Sequence, residues 1–361
     1  MRNEDKSTRY HRLRRRASVL STAAAAVVLV LLAVTPGSRW LADVSRGSVA
    51  LYVVMLAVIL EIVTLPFAFE TGWRLERRYG LSRESAGGWV RDRLKGFAVG
   101  LPLAIAAAGM TYFTARTWPD WWWLAAAAML TAGMIAVAHL APVVLMPLFV
   151  RMKPLDRPAL SARLAALTAR AGVPIVGAFE WELGARSSKA NAALTGFGST
   201  RRILVSDTLL ASYSDDEIEV ILAHELSHHV HHDLWSAVAV ESALLFGGAF
   251  AAHIVIRTVG PATGVQSAAD VAGLPLVLLA AGALSLALAP LARAVSRGHE
   301  RRADAYALTL TGAPEAFVSA MKRLGAQNLA EDEPGALARL FHSHPPLAER
   351  ISRARAHQPQ A

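Results

Sequence analysis

The sequence has no cysteine. That excludes disulfides and any thiolate metal site, so a bound metal has only histidine, aspartate and glutamate to hold it. Charge is also scarce. Asp, Glu, Lys and Arg make up 18% of residues against 54% hydrophobic, and the mean hydropathy is +0.35. A chain this apolar does not read as an ordinary soluble protein and points to the membrane class. No internal repeat or low-complexity tract stands out. The net charge of +9 is the one feature that suggests nucleic acid. Its arginines cluster beside apolar segments and no recognition module accompanies them, which fits cytoplasmic loops better than a binding stripe.

What is abundant is long apolar runs. After a basic stretch at 1–16 (MRNEDKSTRYHRLRRR) they lie at about 17–36, 48–69, 95–115, 121–150, 235–257 and 268–295. Each can cross a hydrocarbon core that needs about 20 residues. The first reads as a retained signal anchor rather than a cleaved signal peptide. The fourth is either one tilted span or a span plus a re-entrant turn near Pro142 and Pro147. Arg74, Arg77, Arg78, Arg83, Arg91 and Arg93 crowd the segment 70–94, so six spans from a cytoplasmic N-terminus put 70–94, 151–234 and 296–361 inside. The expected fold is mainly α: a polytopic helical membrane protein of about six spans, with a cytoplasmic domain that contains a small β-sheet. The expected division is a basic N-terminus at 1–16, a four-span region at 17–150 with its cytoplasmic loop at 70–94, and a domain at 151–361 interrupted by the last two spans at about 235–257 and 268–295.

The chemistry concentrates in Ser214–Asp233, SDDEIEVILAHELSHHVHHD. Ser214 and Glu217 form a capping box, and Leu222, Leu226 and Val230 recur at helical spacing behind it. His224 and His228 are four apart, so both rings leave one helix face, as two ligands of a single zinc ion must. Glu225 is not spaced to be a third ligand but can act as general base on a water. The rival explanation is a solvated histidine-rich face. His229, His231 and His232 read as interfacial rather than metal-bound.

A third ligand is sought on a second helix. Ser296–Leu310, SRGHERRADAYALTL, sets Glu300 and Asp304 one turn apart, with Ala303 and Ala307 small enough for close packing. Glu300 completes a His-His-Glu site of the catalytic type, and Asp304 is an acceptor for a liganding histidine. A salt-bridged solvated helix is the alternative, and His299 is an adjacent rival ligand. His344, in FHSHPPLAER, is either a donor to the oxyanion formed at the peptide carbonyl or a histidine in a Pro-Pro turn. Glu61, Glu241, His139 and His253 lie within or near spans, where packing or cavity lining is the favoured reading. Asp156–Ala171 reads as an amphipathic helix. Ile175–Trp181 and Arg202–Ser206 read as strands, separated by a polar stretch.

Taken together, HELSH, SRGHERRAD, SSKANAALTGFGSTRRILVSDTLL and HSHPPLAERI resemble the membrane zinc endopeptidases of the CAAX prenyl protease 1 and HtpX type. The segments LPFAFETGWRLERRYGLSRES and WVRDRLKG are similar to the CAAX branch. The resemblance covers roughly residues 48–355. It implies one zinc ion per chain on His224, His228 and Glu300, with Glu225 as base and later proton donor. It also implies Asn191 and Ala192 on a substrate-binding edge strand, His344 stabilising the transition state, and Arg350 fixing the His344 segment. The implied fold is a helical bundle enclosing or capping a chamber, with 151–361 as a cytoplasmic HExxH zinc-peptidase domain. The eukaryotic CAAX enzymes differ in having seven spans and a glycine-histidine-tryptophan turn in the zinc motif; here Ser227 and His229 flank His228. The expected partners are a peptide or protein substrate and the lipid bilayer, not nucleic acid. The competing functions are HtpX-like quality control of misfolded membrane proteins and a non-catalytic scaffold with a relict site.

Overall fold

The computed structural model describes residues 5–149, 151–196 and 198–357. The start of the basic N-terminus (1–4), the last residue of the expected fourth span and the last four of 151–361 lie outside the described residues. The chain opens with four long apolar helices: α1 (Lys6–Val34), α2 (Val49–Phe69), α3 (Ala86–Thr117) and α4 (Trp122–Leu140). Ser48 and Ser85 cap α2 and α3 by accepting the Leu51 and Gly88 amides. α4 stops at Leu140 and gives way to a π turn over Ala141–Leu145 and a short helix, Met146–Phe149. Pro142, which has no amide proton to give, lies in that turn, where the helical hydrogen-bond pattern widens before the helix resumes.

A four-stranded sheet follows, built from β1 (Met152–Pro154), β2 (Gly177–Trp181), β3 (Ala192–Thr195) and β4 (Arg202–Ser206) in the order β1-β2-β4-β3. The β2–β4 pair is parallel and the other two are antiparallel. The strands expected near 175–181 and 202–206 are present. β1 was not expected, and β3 lies inside the stretch read as polar. Gly196 follows β3 at φ 97°, where an added Cβ would stand 2.5 Å from the Thr200 carbonyl oxygen. Only glycine makes that turn. Helix α5 (Pro158–Arg170) packs on β2 and helix α6 (Asp215–Val230) on β3, and Leu160, Leu164 and Leu167 of α5 and Leu222 and Leu226 of α6 share one buried core with Ile203 and Val205 of β4.

Two further apolar helices, α7 (Asp233–Thr258) and α8 (Leu274–Thr311), bring the number of membrane-length helices among the described residues to six. α1, α2, α3, α4, α7 and α8 neighbour one another in that order and close into a ring, α8 returning to α1. Inside it is a cavity of about 450 Å³ walled by residues such as Leu56, Ala107, Leu130, Leu244 and Val277, with Glu241 on its surface. Two polar pairs lie within the spans: Arg93 grips Glu61 at 2.6 and 2.8 Å, and Trp122 Nε1 donates to His253 Nδ1 at 3.1 Å. α8 has 38 residues. At about 1.5 Å per residue it is roughly twice as long as a hydrocarbon core of about 30 Å. Its second half therefore leaves the ring and packs along α6. Helices α9 (Pro314–Asn328) and α10 (Leu347–Ala356) complete the core around Phe317.

Candidate active site

The capping box that starts α6 is formed: Ser214 Oγ accepts the Glu217 amide, and Glu217 Oε2 accepts the Ser214 amide at 2.8 Å. From that start, His224 and His228 emerge side by side, their rings 5.1 Å apart and nearly perpendicular. α8 brings Glu300 against both. Its carboxylate lies 3.3 Å from His224 Nε2 and 3.8 Å from His228 Nε2. One ligand atom from each of the three residues lies within 4.8 Å of the others, so the trio can hold a metal ion.

Each histidine is oriented by an acid behind it. His224 Nδ1 lies 2.9 Å from Asp304, and His228 Nδ1 lies 2.8 Å from Asp233. Such pairs fix which ring nitrogen faces the metal and raise its basicity. Asp304 is in turn held by Arg350, at 2.8 and 2.6 Å, and Asp233 by Arg302. Asp233 is absent from the sequence-derived set. His232 takes left-handed backbone at φ 57°, reversing the chain so that Asp233, five residues beyond His228, faces back to it. The final aspartate of HHVHHD was the available signal, but only that turn gives it meaning.

The donor set seeks positive charge. Burial alone would push the His224 imidazole down, yet Asp304 and Glu300 outweigh it and raise its pKa to about 9. Glu300 Oε2 is buried and accepts no well-aligned hydrogen bond, although ring nitrogens of His224 and His344 lie at 3.3 and 2.7 Å. A buried carboxylate oxygen without an aligned donor, beside two imidazoles, fits a divalent cation. Glu225 stands on the same helix, and burial pushes its carboxyl above the usual range. That direction suits a group that must accept and return a proton near neutrality.

The remaining expected residues are placed as follows. His344 Nδ1 reaches Glu300 while its side chain stays 61% exposed, open to a substrate. His299 turns away from the trio and meets Ser236 Oγ at 3.1 Å. His229 Nε2 lies 2.9 Å from the Leu194 carbonyl of β3, and His231 bonds back to Ser227. β3 is an edge strand, and Asn191, just before it, has its carbonyl bonded to the Ser206 amide of β4. Antiparallel alternation then turns the main chain of Ala192 and Leu194 to the open edge. Ala192 buries its own side chain. Arg350, expected among the substrate-binding residues and as a fix for the His344 segment, bonds Asp304.

Comparison with known proteins gives the family and the fold. Residues 154–358 match the family model described as peptidase family M48, and residues 2–151 match that described as CAAX prenyl protease N-terminal, five membrane helices. An uncharacterized metalloprotease of Bacillus subtilis, YhfN, is 28% identical over 308 residues, which is 84% of this chain and 72% of that one. CAAX prenyl protease 1 of Saccharomyces cerevisiae is 28% identical over 322 residues, covering 82% of this chain and 70% of its own. The crystal structure of S. mikatae Ste24p has the same fold, with a TM-score of 0.86 at 24% identity over 97% of this chain and 88% of that one. The chain belongs to peptidase family M48, as an integral-membrane metalloendopeptidase.

Proposed function

We propose that the protein is a zinc endopeptidase that cuts membrane-associated, CAAX-like substrates at the cytoplasmic face of the membrane. The observation that carries this reading is the convergence of His224, His228 and Glu300, with Asp304 and Asp233 behind the two histidines. In the absence of cysteine, two imidazoles and one carboxylate are a donor set that suits zinc and leaves a position open for reaction. Bound there, zinc supplies Lewis acidity, polarising the scissile carbonyl and making water more acidic.

The chain's own residues do the rest. Glu225 takes the proton of the attacking water and returns it to the leaving amine. His344, exposed beside Glu300, donates to the oxyanion that forms at the carbonyl. The outward main chain of Ala192 and the outward amide of Leu194, whose carbonyl is held by His229, offer an edge on which a peptide lies extended. Asn191 fixes the start of that edge through Ser206. Arg350 holds Asp304, and with it the ring of His224. The cytoplasmic orientation rests on the arginines of 70–94, and the division at about residue 150 on the change there from spans to sheet.

The substrate class is supported by the match of the N-terminal half to the CAAX prenyl protease model. Cleavage of a farnesylated CAAX peptide and of an unfolded membrane protein by the purified enzyme separates the two branches. Preference for the unfolded protein would overturn the CAAX assignment and leave the zinc chemistry standing.

A further inference from the structure

The N-terminal helix reaches the catalytic half of the molecule. Before its apolar run begins, α1 lays two side chains on that half, His11 and Arg15, and Tyr10 reaches it through Glu76. Tyr10 is buried and donates to Glu76, whose carboxylate meets Lys189 at 2.8 Å. His11 Nε2 lies 2.7 Å from the Leu329 carbonyl. Arg15 grips Glu331 with two nitrogens, at 2.5 and 3.1 Å, and the Glu331 side chain is only 4% exposed.

Glu331 belongs to the connection 329–346, which leaves α9 and carries His344. The connection starts under constraint, because Leu329 adopts left-handed backbone at φ 52°. Glu331 Oε2 lies 3.8 Å from His342 Nε2, and the His342 carbonyl accepts from Arg297 of α8 at 2.8 Å. Two residues on, His344 meets Glu300. The connection is therefore pinned from α1, from α8 and from the metal-site carboxylate. Between α1 and the connection is a cavity of about 650 Å³ with His11, Arg14, His342 and His344 on its walls.

We propose that Arg15 is a positioning residue for peptide hydrolysis: by holding the buried Glu331, it fixes the connection that presents His344 to the scissile carbonyl. The inference rests on the reading of His344 as the oxyanion donor. Removing one partner of a buried ion pair leaves the other buried without its match, which is costly. Without Arg15, Glu331 loses its paired guanidinium, and a turn of its side chain toward water carries the connection with it. The planar guanidinium fork matters too, since lysine offers a point charge in place of two parallel donors.

The test uses the purified full chain with its metal, a farnesylated CAAX peptide as probe, and three readouts: kcat against KM, metal content and melting temperature. Arg15→Ala is expected to lower kcat about 10- to 100-fold with KM within about twofold, the scale of a catalytic group displaced by about an ångström. Metal content should stay at the wild-type level. Arg15→Lys should fall between, and it carries the comparison if Arg15→Ala does not fold. The charge-reversed pair, Arg15→Glu with Glu331→Arg, should recover most of the kcat that either change alone removes. His344→Ala should impair kcat by itself, and adding Arg15→Ala should cost little more, because the two act through one group. Wild-type kcat in Arg15→Ala, with His344→Ala impaired, overturns the inference alone. Full activity in His344→Ala overturns the reading beneath it. A loss in Arg15→Ala that follows the melting temperature and is not recovered by the reversed pair marks the contact as structural only, and also overturns the inference.

Discussion

In the membrane ring, 11–33% of each apolar helix window is buried within the protein, and Leu286 and Leu291 of α8 keep 59% and 66% of their surface exposed. In the peptidase half, Leu160, Leu164, Leu222 and Leu226 keep 1% or less. The same residue type serves both, because lipid covers the first set and protein covers the second. A ring helix thus needs little more than an apolar composition and a length. A peptidase helix needs register, since one face must meet the sheet and the other must meet a metal. α7 and α8 belong to both regions, and they deliver Asp233 and Glu300 to the site from the ring.

That contrast can be broken or sharpened by experiment. Removing the base should have the largest effect. Glu225→Gln is expected to lower kcat by about 10²- to 10⁴-fold, the usual contribution of a positioned acid–base group, while zinc stays bound. Zinc content and peptidase rate measured on the same sample check it; a fully active variant removes Glu225 from the chemistry. Next, Glu300→Ala should lose zinc, whereas His299→Ala should keep it. The reverse pattern would mean that the donation from α8 is misassigned by one residue.

Stability should then divide by region. Leu222→Ala leaves a cavity in the peptidase core and should cost about 2–5 kcal/mol. Leu286→Ala on the lipid face should stay within about 0.5 kcal/mol, as for an exposed site. Denaturation of both variants in one detergent reads the difference, and equal losses would refute the contrast. The last prediction concerns the acid that the sequence reading omitted. Asp233→Ala should weaken zinc binding about 10- to 100-fold, as loss of an orienting partner does. Competition against a chelator measures it, and unchanged affinity would show that His228 is oriented without Asp233.

The site was legible where its geometry is local. The spacing of His224 and His228, the capping box at Ser214 and the pair Glu300–Asp304 all follow from one helical turn, and a turn can be read from sequence. The six long apolar runs were legible for a similar reason, since length and composition define them. β1 was not, and β3 entered only through the family resemblance that put Ala192 on an edge strand, because strands of 3 and 4 residues are too short to show a period and exist only through their pairing with β2 and β4. Asp233 depended on the left-handed residue before it, and Arg15 on a partner 316 positions away.

By itself, then, the sequence determined the class of molecule and the donor atoms available to a metal, since cysteine is absent and the histidines and acids are fixed on helices whose period is known. It also determined that six segments suit a membrane. The tertiary structure decided which acid meets which histidine, that the spans close into a ring around a cavity, and that the N-terminal helix grips the connection carrying His344. Those are contacts between residues far apart in the chain. They depend on how the helices pack, and packing is settled by the burial and pairing of many side chains at once.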